Sequence, residues 1–356
     1  MKKVNKILIT PLFGIGDTIL TTPALKILKE NSPDSCITFF TFNSAIYEIF
    51  KTNPHIDNLL YYPLIKKNKI ISFFYILKHF SFRFDTVINF YPSNRKDYNI
   101  FSFFTFSPKR IGHRYNHFDL KELNWLKNFT VKEDNKLHCV EENIKLLEFL
   151  NIKIPRNDIP QTEIFLTDSE MKKAKDFIKS LPCNNFFIKE KKIGIHTGSS
   201  SFKNHVHRRW PKEYFLEVVN YFGNKLFFLF GTEEEKKENL FIQKNCKYSN
   251  VIIVENKPIR EVASIIKNLD MFISNDSGLM HVAAAVGTPV IAIFGPTNPV
   301  WVRPWCKKFK VISAELKCSP CFYYSPEPLT CKNTNKWECL KKIKPEFLID
   351  EIKEML

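Results

Sequence analysis

Glycine is scarce in this chain, ten in 356 residues, against roughly 7% in average proteins. That shortage excludes collagen-like and glycine-linker sequences, and makes each glycine cluster a place where the backbone has to come close to something. Carboxylates are short as well, 37 Asp and Glu against 53 Lys and Arg, for a net charge of +16 and a pI near 9.3. The resulting positive field draws phosphates, carboxylates, anionic lipid or nucleic acid without choosing among them, and a Lys- and Phe-rich composition can equally reflect a codon-biased genome. Charge alone, with no recognition motif, does not support nucleic-acid binding. No apolar run reaches the eighteen or so residues of a membrane span. Met1-Lys2-Lys3 before Ile7-Leu8-Ile9 imitates a signal peptide, but Asp17 interrupts it and no small-residue cleavage site follows. A cytoplasmic protein is expected, soluble or peripheral on the inner membrane. The nine cysteines are an odd number, which in a reducing compartment favours free thiols or metal ligands over disulfides.

What is present is a chain long and apolar enough, at 44% hydrophobic residues, for two domains. Apolar runs alternate with helical patterns, the signature of parallel sheets with crossover helices. Lys6 to Thr10 reads as a buried strand, Thr22 to Glu30 as a helix, Ile37 to Phe42 and Asp85 to Phe90 as strands, and His138 to Leu150 as a helix. Lys66 to Phe84 interleaves Lys, Arg and His with Phe, Ile and Tyr. It reads as an amphipathic helix with its apolar side in the core, a membrane-surface element being the alternative. Asn151 to Gln161, with Pro155 and Pro160, is a connector, and Asp168 to Leu181 a helix starting behind Thr167. The second half restarts the pattern with strands at Ile193 to His196, Leu226 to Phe230, Val251 to Val254, Met271 to Ser274 and Val290 to Phe294. Lys212 to Phe222 and Ile259 to Asn268 are among the helices between them. The domains expected are 1–165, 166–340, and a C-terminal helix, 341–356, packing back toward the first domain.

Ligands of an open parallel sheet lie off the carboxyl ends of its strands, which selects four segments. Asn275-Asp276-Ser277-Gly278 leads from a strand into a helix, so free N–H groups and a positive dipole end gather there. A diphosphate suits that site, with Ser277 adding a hydroxyl, Gly278 allowing close approach and His281 in the first turn; simple capping by Asp276 or Ser277 is the alternative. Thr197-Gly198-Ser199-Ser200 follows another strand. Glu233 follows Gly231 where a ribose is usually held, although it also opens the charge run Glu234-Glu235-Lys236-Lys237. Gly14-Ile15-Gly16-Asp17 permits a tight turn from which Asp17 projects as a candidate general base on an acceptor hydroxyl. Ile19 stands where a third glycine would complete the dinucleotide fingerprint, so that reading fails.

Taken in order, Pro11-Leu12-Phe13-Gly14-Ile15-Gly16-Asp17, Thr21-Thr22-Pro23-Ala24-Leu25, Ile193-Gly194-Ile195-His196-Thr197-Gly198-Ser199, Arg208-Arg209-Trp210-Pro211, Asn275-Asp276-Ser277-Gly278-Leu279-Met280-His281, Gly287-Thr288-Pro289-Val290 and Phe294-Gly295-Pro296-Thr297 make the chain resemble glycosyltransferase family 9, the ADP-heptose:lipopolysaccharide heptosyltransferases. The resemblance implies an α/β fold of GT-B architecture, with two Rossmann-like doubly wound domains facing across a cleft. It also implies inversion at the anomeric carbon, an ADP-heptose donor and no obligatory metal. Asp17 then resembles the catalytic base. Thr197, Ser199 and Ser200 fall in the phosphate-contacting loop, and Arg208 or Arg209 at the basic position beside Trp-Pro, where it would neutralise the leaving diphosphate. Glu233 resembles the ribose carboxylate, Asp276 the residue near the sugar, and Ser277, Gly278 and His281 the diphosphate and sugar contacts. Arg replaces the frequent Lys before Trp-Pro, which changes hydrogen-bond geometry. The loop from His196 to Trp210 is long, and Asn256-Lys257-Pro258 leaves the nucleotide open. A UDP- or GDP-sugar donor, or a non-catalytic nucleotide-sugar-binding scaffold, are the alternatives.

An acidic glycolipid acceptor suits the first domain, where Gly16, Arg95, Lys96, Lys109, Arg110, His113 and Arg114 are expected in loops after its strands. Cys318 and Cys321 form a C-x-x-C pair with Cys331 and Cys339 downstream, a set that fits a structural zinc except that the second spacing is C-x7-C; free thiols are the alternative. A monomer is expected.

Overall fold

The computed structural model describes residues 5–10, 14–64, 67–154, 158–181, 190–322 and 327–356; Pro11-Leu12-Phe13 of the first motif and Pro155 of the connector lie outside these. The chain divides into two compact units between Phe165 and Leu166.

The first unit carries a six-stranded parallel sheet of β1 (Lys6–Ile9), β2 (Cys36–Thr41), β3 (Asn58–Tyr61), β4 (Thr86–Ile88), β5 (Lys109–Arg114) and β6 (Phe129–Lys132), in spatial order 3-2-1-4-5-6. The second unit repeats this with β7 (Lys192–His196), β8 (Leu226–Gly231), β9 (Val251–Glu255), β10 (Met271–Asn275), β11 (Val290–Phe294) and β12 (Phe309–Ser313), in order 9-8-7-10-11-12. Counted from each unit's first strand the two orders are identical. In both, the order reverses beside that strand: between β1 and β4, and between β7 and β10. These reversals are the topological switch points where a crevice opens at the strand ends.

Burial explains which strands the sequence announces. β7, β8, β10 and β11 are apolar runs buried on both faces, as helices on either side of a parallel sheet require. Helix Asp168–Lys179 begins behind Thr167 with a reciprocal capping box to Glu170, and helix Thr22–Asn31 carries Pro23 in its first turn, where a missing N–H costs nothing. The last helix, Pro345–Met355, gives Leu348, Ile349 and Ile352 to the core of the second unit, with Trp210 and Phe215. Among the described residues no helix is long and apolar enough to cross a membrane.

Candidate functional site

At the switch point of the second unit, Asn275 joins the strand ends. Its side-chain amide donates to the carbonyls of Thr197 (2.8 Å) and Gly198 (3.2 Å) and its Oδ1 accepts from the Trp210 backbone N–H (2.9 Å). Trp210 is itself buried, with Nε1 donating to the Ile343 carbonyl at 2.9 Å. The loop after β7 and the Arg208-Arg209 pair are therefore pinned to the loop after β10. Helix Gly278–Ala285 starts here with Ser277 as its extended N-cap, yet no side chain caps it. The Ser277 hydroxyl turns instead to His196 Nδ1 (2.9 Å) and Ser274 Oγ (3.0 Å). First-turn N–H groups left without a side-chain cap at a positive helix end are an anion-binding arrangement.

The two arginines separate in role. Arg208 Nη1 lies 2.8 Å from Asp276 Oδ2, its guanidinium 4.5 Å above the Phe322 ring, and its buried Nε has no hydrogen-bond partner among the described residues. Arg209 Nη2 binds the Ser199 carbonyl (2.8 Å) and Glu235 Oε1 (2.9 Å), while Glu235 Oε2 accepts from the N–H and hydroxyl of Thr232. The Nε of Arg209 is likewise buried without a partner among the described residues, so the two differ in what their terminal nitrogens hold: Arg209 braces the loop, and Arg208 pairs with Asp276 beside the helix end, with His205 Nε2 at 3.3 Å. Three imidazoles border the same region, all held neutral by burial. His196 is pushed down to about 3, helped by the Arg209 charge, and His205 and His281 to about 4. The buried His281 Nδ1 has no hydrogen-bond partner among the described residues. Uncharged rings beside buried arginines spare the site further repulsion and leave ring nitrogens able to bond a neutral ligand hydroxyl.

In the first unit, Asp17 lies in the first turn of helix Ile15–Ile19, directly after β1. Gly14 is extended (φ −86°) and Gly16 is helical, so the chain passes from β1 into this helix without a positive φ at either glycine. Gly14 is needed for space, because a Cβ there would stand 2.6 Å from Asp17 Oδ2. Thr10 closes the crevice floor by bonding the Ile88 carbonyl through both N–H and hydroxyl, each at 3.1 Å. Asp17 and Arg95 both act electrostatically on the buried Tyr98 hydroxyl, and the Arg95 guanidinium is 5.5 Å from that ring.

Several sequence candidates stand elsewhere than expected. Lys109, Arg110, His113 and Arg114 form β5 rather than a loop. His113 is fully buried against Glu142 at 3.0 Å, with burial lowering its pKa. Arg110 spends its donors on the carbonyls of Leu126 and Ser107, and Arg114 pairs with Asp119. These three hold the fold, which leaves Gly16, Arg95 and Lys96 at the switch point. The hydroxyls of Thr197 and Ser199 are committed to Asn239 and the His205 carbonyl, while Ser200 accepts from the Phe202 N–H. Glu233 is exposed and paired with Lys236 at 2.9 Å; the buried carboxylate of that loop is Glu235. Gly198 leaves room for it, since a Cβ there would stand 2.4 Å from its Oε1. Asn275 opens the Asn-Asp-Ser-Gly motif without being a candidate site residue in its own right, while Glu235, Phe322 and Tyr98 are marked as site residues by no motif or spacing.

Cys318, Cys321, Cys331 and Cys339 are free thiols. Burial and the neighbouring sulfurs together raise Cys321, and push Cys339 up to about 11. Clustered they are, but no group of His, Cys, Asp or Glu among the described residues is arranged to hold a metal ion, so the zinc reading finds no support in their geometry.

The model of glycosyltransferase family 9 (heptosyltransferase) matches residues 83–330. Lipooligosaccharide heptosyltransferase 2 of Campylobacter jejuni is 24% identical over 96% of this chain and 95% of its own. Lipopolysaccharide heptosyltransferase 3 of Escherichia coli is 28% identical over 82% of each. The solved E. coli ADP-heptose LPS heptosyltransferase II shares the fold, with a TM-score of 0.74 at 17% identity over 99% of this chain and 98% of that one. Two parallel six-stranded α/β units with this likeness make the fold GT-B.

Proposed function

The chain belongs to glycosyltransferase family 9 and is a glycosyltransferase; from that premise we propose that it transfers a heptose from ADP-heptose to an acidic sugar of a lipopolysaccharide inner core, with inversion. The observation that carries the reading is the uncapped helix end at Gly278, flanked by Arg208 on its Asp276 counter-ion and by the unpartnered His281 Nδ1. The names of the relatives in Campylobacter and E. coli support the donor and acceptor class.

In this mechanism the diphosphate lies against the first-turn N–H groups at Gly278, with the Arg208 guanidinium beside it. The Asp17 carboxylate accepts the proton of the acceptor hydroxyl as its oxygen attacks the anomeric carbon from the face opposite the leaving group. The new C–O bond forms as the bond from that carbon to the β-phosphate oxygen breaks, and ADP departs with the electron pair. The charge that grows on it is met by helix dipole and guanidinium. Lys96 and Arg95 would hold an acceptor phosphate or carboxylate. Glu233, exposed at the end of β8, would accept from the ribose hydroxyls; its solvated pairing with Lys236 is weak enough to be exchanged. His281 would bond a donor-sugar hydroxyl, and Asp276 sits near that sugar. The acceptor is lipid-anchored, so the work is done at the cytoplasmic face of the inner membrane.

Calorimetric titration with ADP, UDP and GDP, then with the matching sugar nucleotides, tests the donor. A preference for ADP and ADP-heptose is expected. A preference for UDP or GDP would replace the donor, and no binding to any would leave a scaffold rather than an enzyme.

A further inference from the structure

The segment from Asn58 to Phe84 contains no Asp or Glu. Within it, helix Lys69–Phe80 does what the amphipathic reading expects on one side: Tyr75, Ile76 and Phe80 pack onto Phe40, Val87 and Phe101. Its other side is apolar as well and exposed. Ile70 is 66% exposed, Ile71 56% and Phe74 63%. A helix apolar on both sides normally lies wholly inside a protein.

The exposed face continues beyond the helix through a chain of ring contacts. Phe74 meets Phe73 at 5.8 Å, Phe73 meets Phe104 at 5.0 Å, Phe104 meets Phe106 at 6.1 Å, and Phe106 stacks on Phe82 at 4.7 Å. Phe82 is 80% exposed. Both Phe82 (φ 56°) and Phe106 (φ 53°) hold left-handed backbone, a conformation that is costly for a bulky side chain. A contiguous apolar patch displayed at that cost marks an interaction surface rather than leftover core. Its rim is cationic: Lys67, Lys78 and Arg83 are exposed, and Arg110 lies over the Phe103 ring.

We propose that this patch docks the protein on an anionic lipid bilayer, with Ile70, Ile71, Phe74 and Phe82 entering the interface and Lys67, Lys78 and Arg83 meeting lipid phosphates. Aromatic and aliphatic groups beside basic side chains, on a segment without Asp or Glu, match the two layers of such a surface, apolar chains under a negative plane. A protein partner with an ordinary mixed-charge face would leave this rim unpaired. The inference deepens the reading of a lipid-anchored acceptor, but its test uses neither donor nor acceptor.

Co-sedimentation of the full chain with vesicles containing phosphatidylglycerol, against vesicles of phosphatidylcholine alone, measures it. Strong partition onto the first and little onto the second is expected. The Phe74→Ser, Phe82→Ser double variant should lower that partition at least ~10-fold through loss of buried apolar area. Lys67→Glu with Lys78→Glu should lower it most at low salt. Both should keep the wild-type melting temperature and ADP affinity, which separates lost docking from unfolding. Equal partition onto the two vesicle types, or partition indifferent to these variants, would overturn the proposal. So would a dimer in ultracentrifugation without lipid that Phe74→Ser, Phe82→Ser converts to monomer, since the patch would then be a self-association face. Failure to bind ADP would count against the transferase reading alone.

Discussion

Two sheets of identical strand order meet their switch points with different chemistry. Beside β7 and β10 the second unit gathers two partly buried arginines, two buried counter-ion carboxylates and three neutral imidazoles around one uncapped helix end. Beside β1 and β4 the first unit offers one partly exposed carboxylate, Asp17, with a glycine cleared away beside it and a single arginine near Tyr98. Under the proposed function, a crevice that holds a dianionic diphosphate needs fixed positive charge whose burial is offset by partners already in place. A crevice that accepts one proton needs a carboxylate able to take it up and little else. Topology sets where each crevice opens, and the residues at the strand ends decide which task it takes.

The largest effect that would sharpen this contrast is at Asp17. Asp17→Asn should lower kcat roughly 10²- to 10⁴-fold, the range for a lost general base, with calorimetric ADP affinity unchanged. Gly14→Ala should follow in the same direction, about 10-fold, because its Cβ displaces the carboxylate. A wild-type kcat for Asp17→Asn would remove the proposed base.

The arginines come next. Arg208→Ala should weaken ADP binding about 10- to 100-fold, as expected for a lost charge-assisted bond, and also destabilise by leaving Asp276 unpaired. Arg209→Ala should cost stability through the stranded Glu235, by up to ~3–5 kcal/mol in urea unfolding, while ADP affinity stays within about 3-fold of wild type. Equal losses of ADP affinity in the two would erase the distinction between anchoring and binding arginine.

Acid should act on the second unit through His196 and His281. Their folded pKa values lie below the unfolded value of about 6.5, so the unfolded chain takes up protons first as pH falls. The stability these neutral rings carry is whole above that value. It is lost downward through about 4 for His281 and about 3 for His196, at up to ~1.4 kcal/mol per pH unit each. His281→Asn should flatten the urea midpoint between pH 6 and 4, by about one proton's worth of slope. An unchanged slope would mean that His281 is already protonated in the fold.

Much of this contrast was legible in the sequence, for unequal reasons. Strands buried on both faces announce themselves as unbroken apolar runs, so β7, β8, β10 and β11 could be read directly, and with them the segments that follow. β5, Lys-Arg-Ile-Gly-His-Arg, could not: charged side chains can serve a strand near a sheet margin when they turn to carbonyls or carboxylates, and sequence does not reveal those partners. That is why Arg110, His113 and Arg114 looked like acceptor ligands. The long apolar stretch Lys66 to Phe84 reads as a helix facing the core with a membrane-surface element as the alternative, because periodicity cannot tell a helix with one apolar face covered from one with a second left bare.

The run Glu233-Glu234-Glu235 shows the same limit at the scale of single residues, and carries the smallest effect. Nothing in three consecutive carboxylates says which one turns inward; the backbone does, by starting helix Lys236–Asn245 where Glu235 falls under Arg209 and Thr232. Glu233 is left in solvent with only a surface pair, worth little to stability. Glu233→Gln should therefore leave the melting temperature unchanged and, if the ribose is held there, weaken ADP binding about 2- to 5-fold, the loss of a solvated charge-assisted contact. Glu235→Gln should do the reverse, lowering the melting temperature first. If Glu233→Gln left ADP affinity untouched while Glu235→Gln reduced it beyond its effect on stability, the ribose contact would belong to the buried carboxylate. Arg209 would then bind through Glu235 rather than merely brace the loop, and the division of labour between the two arginines would fall with it.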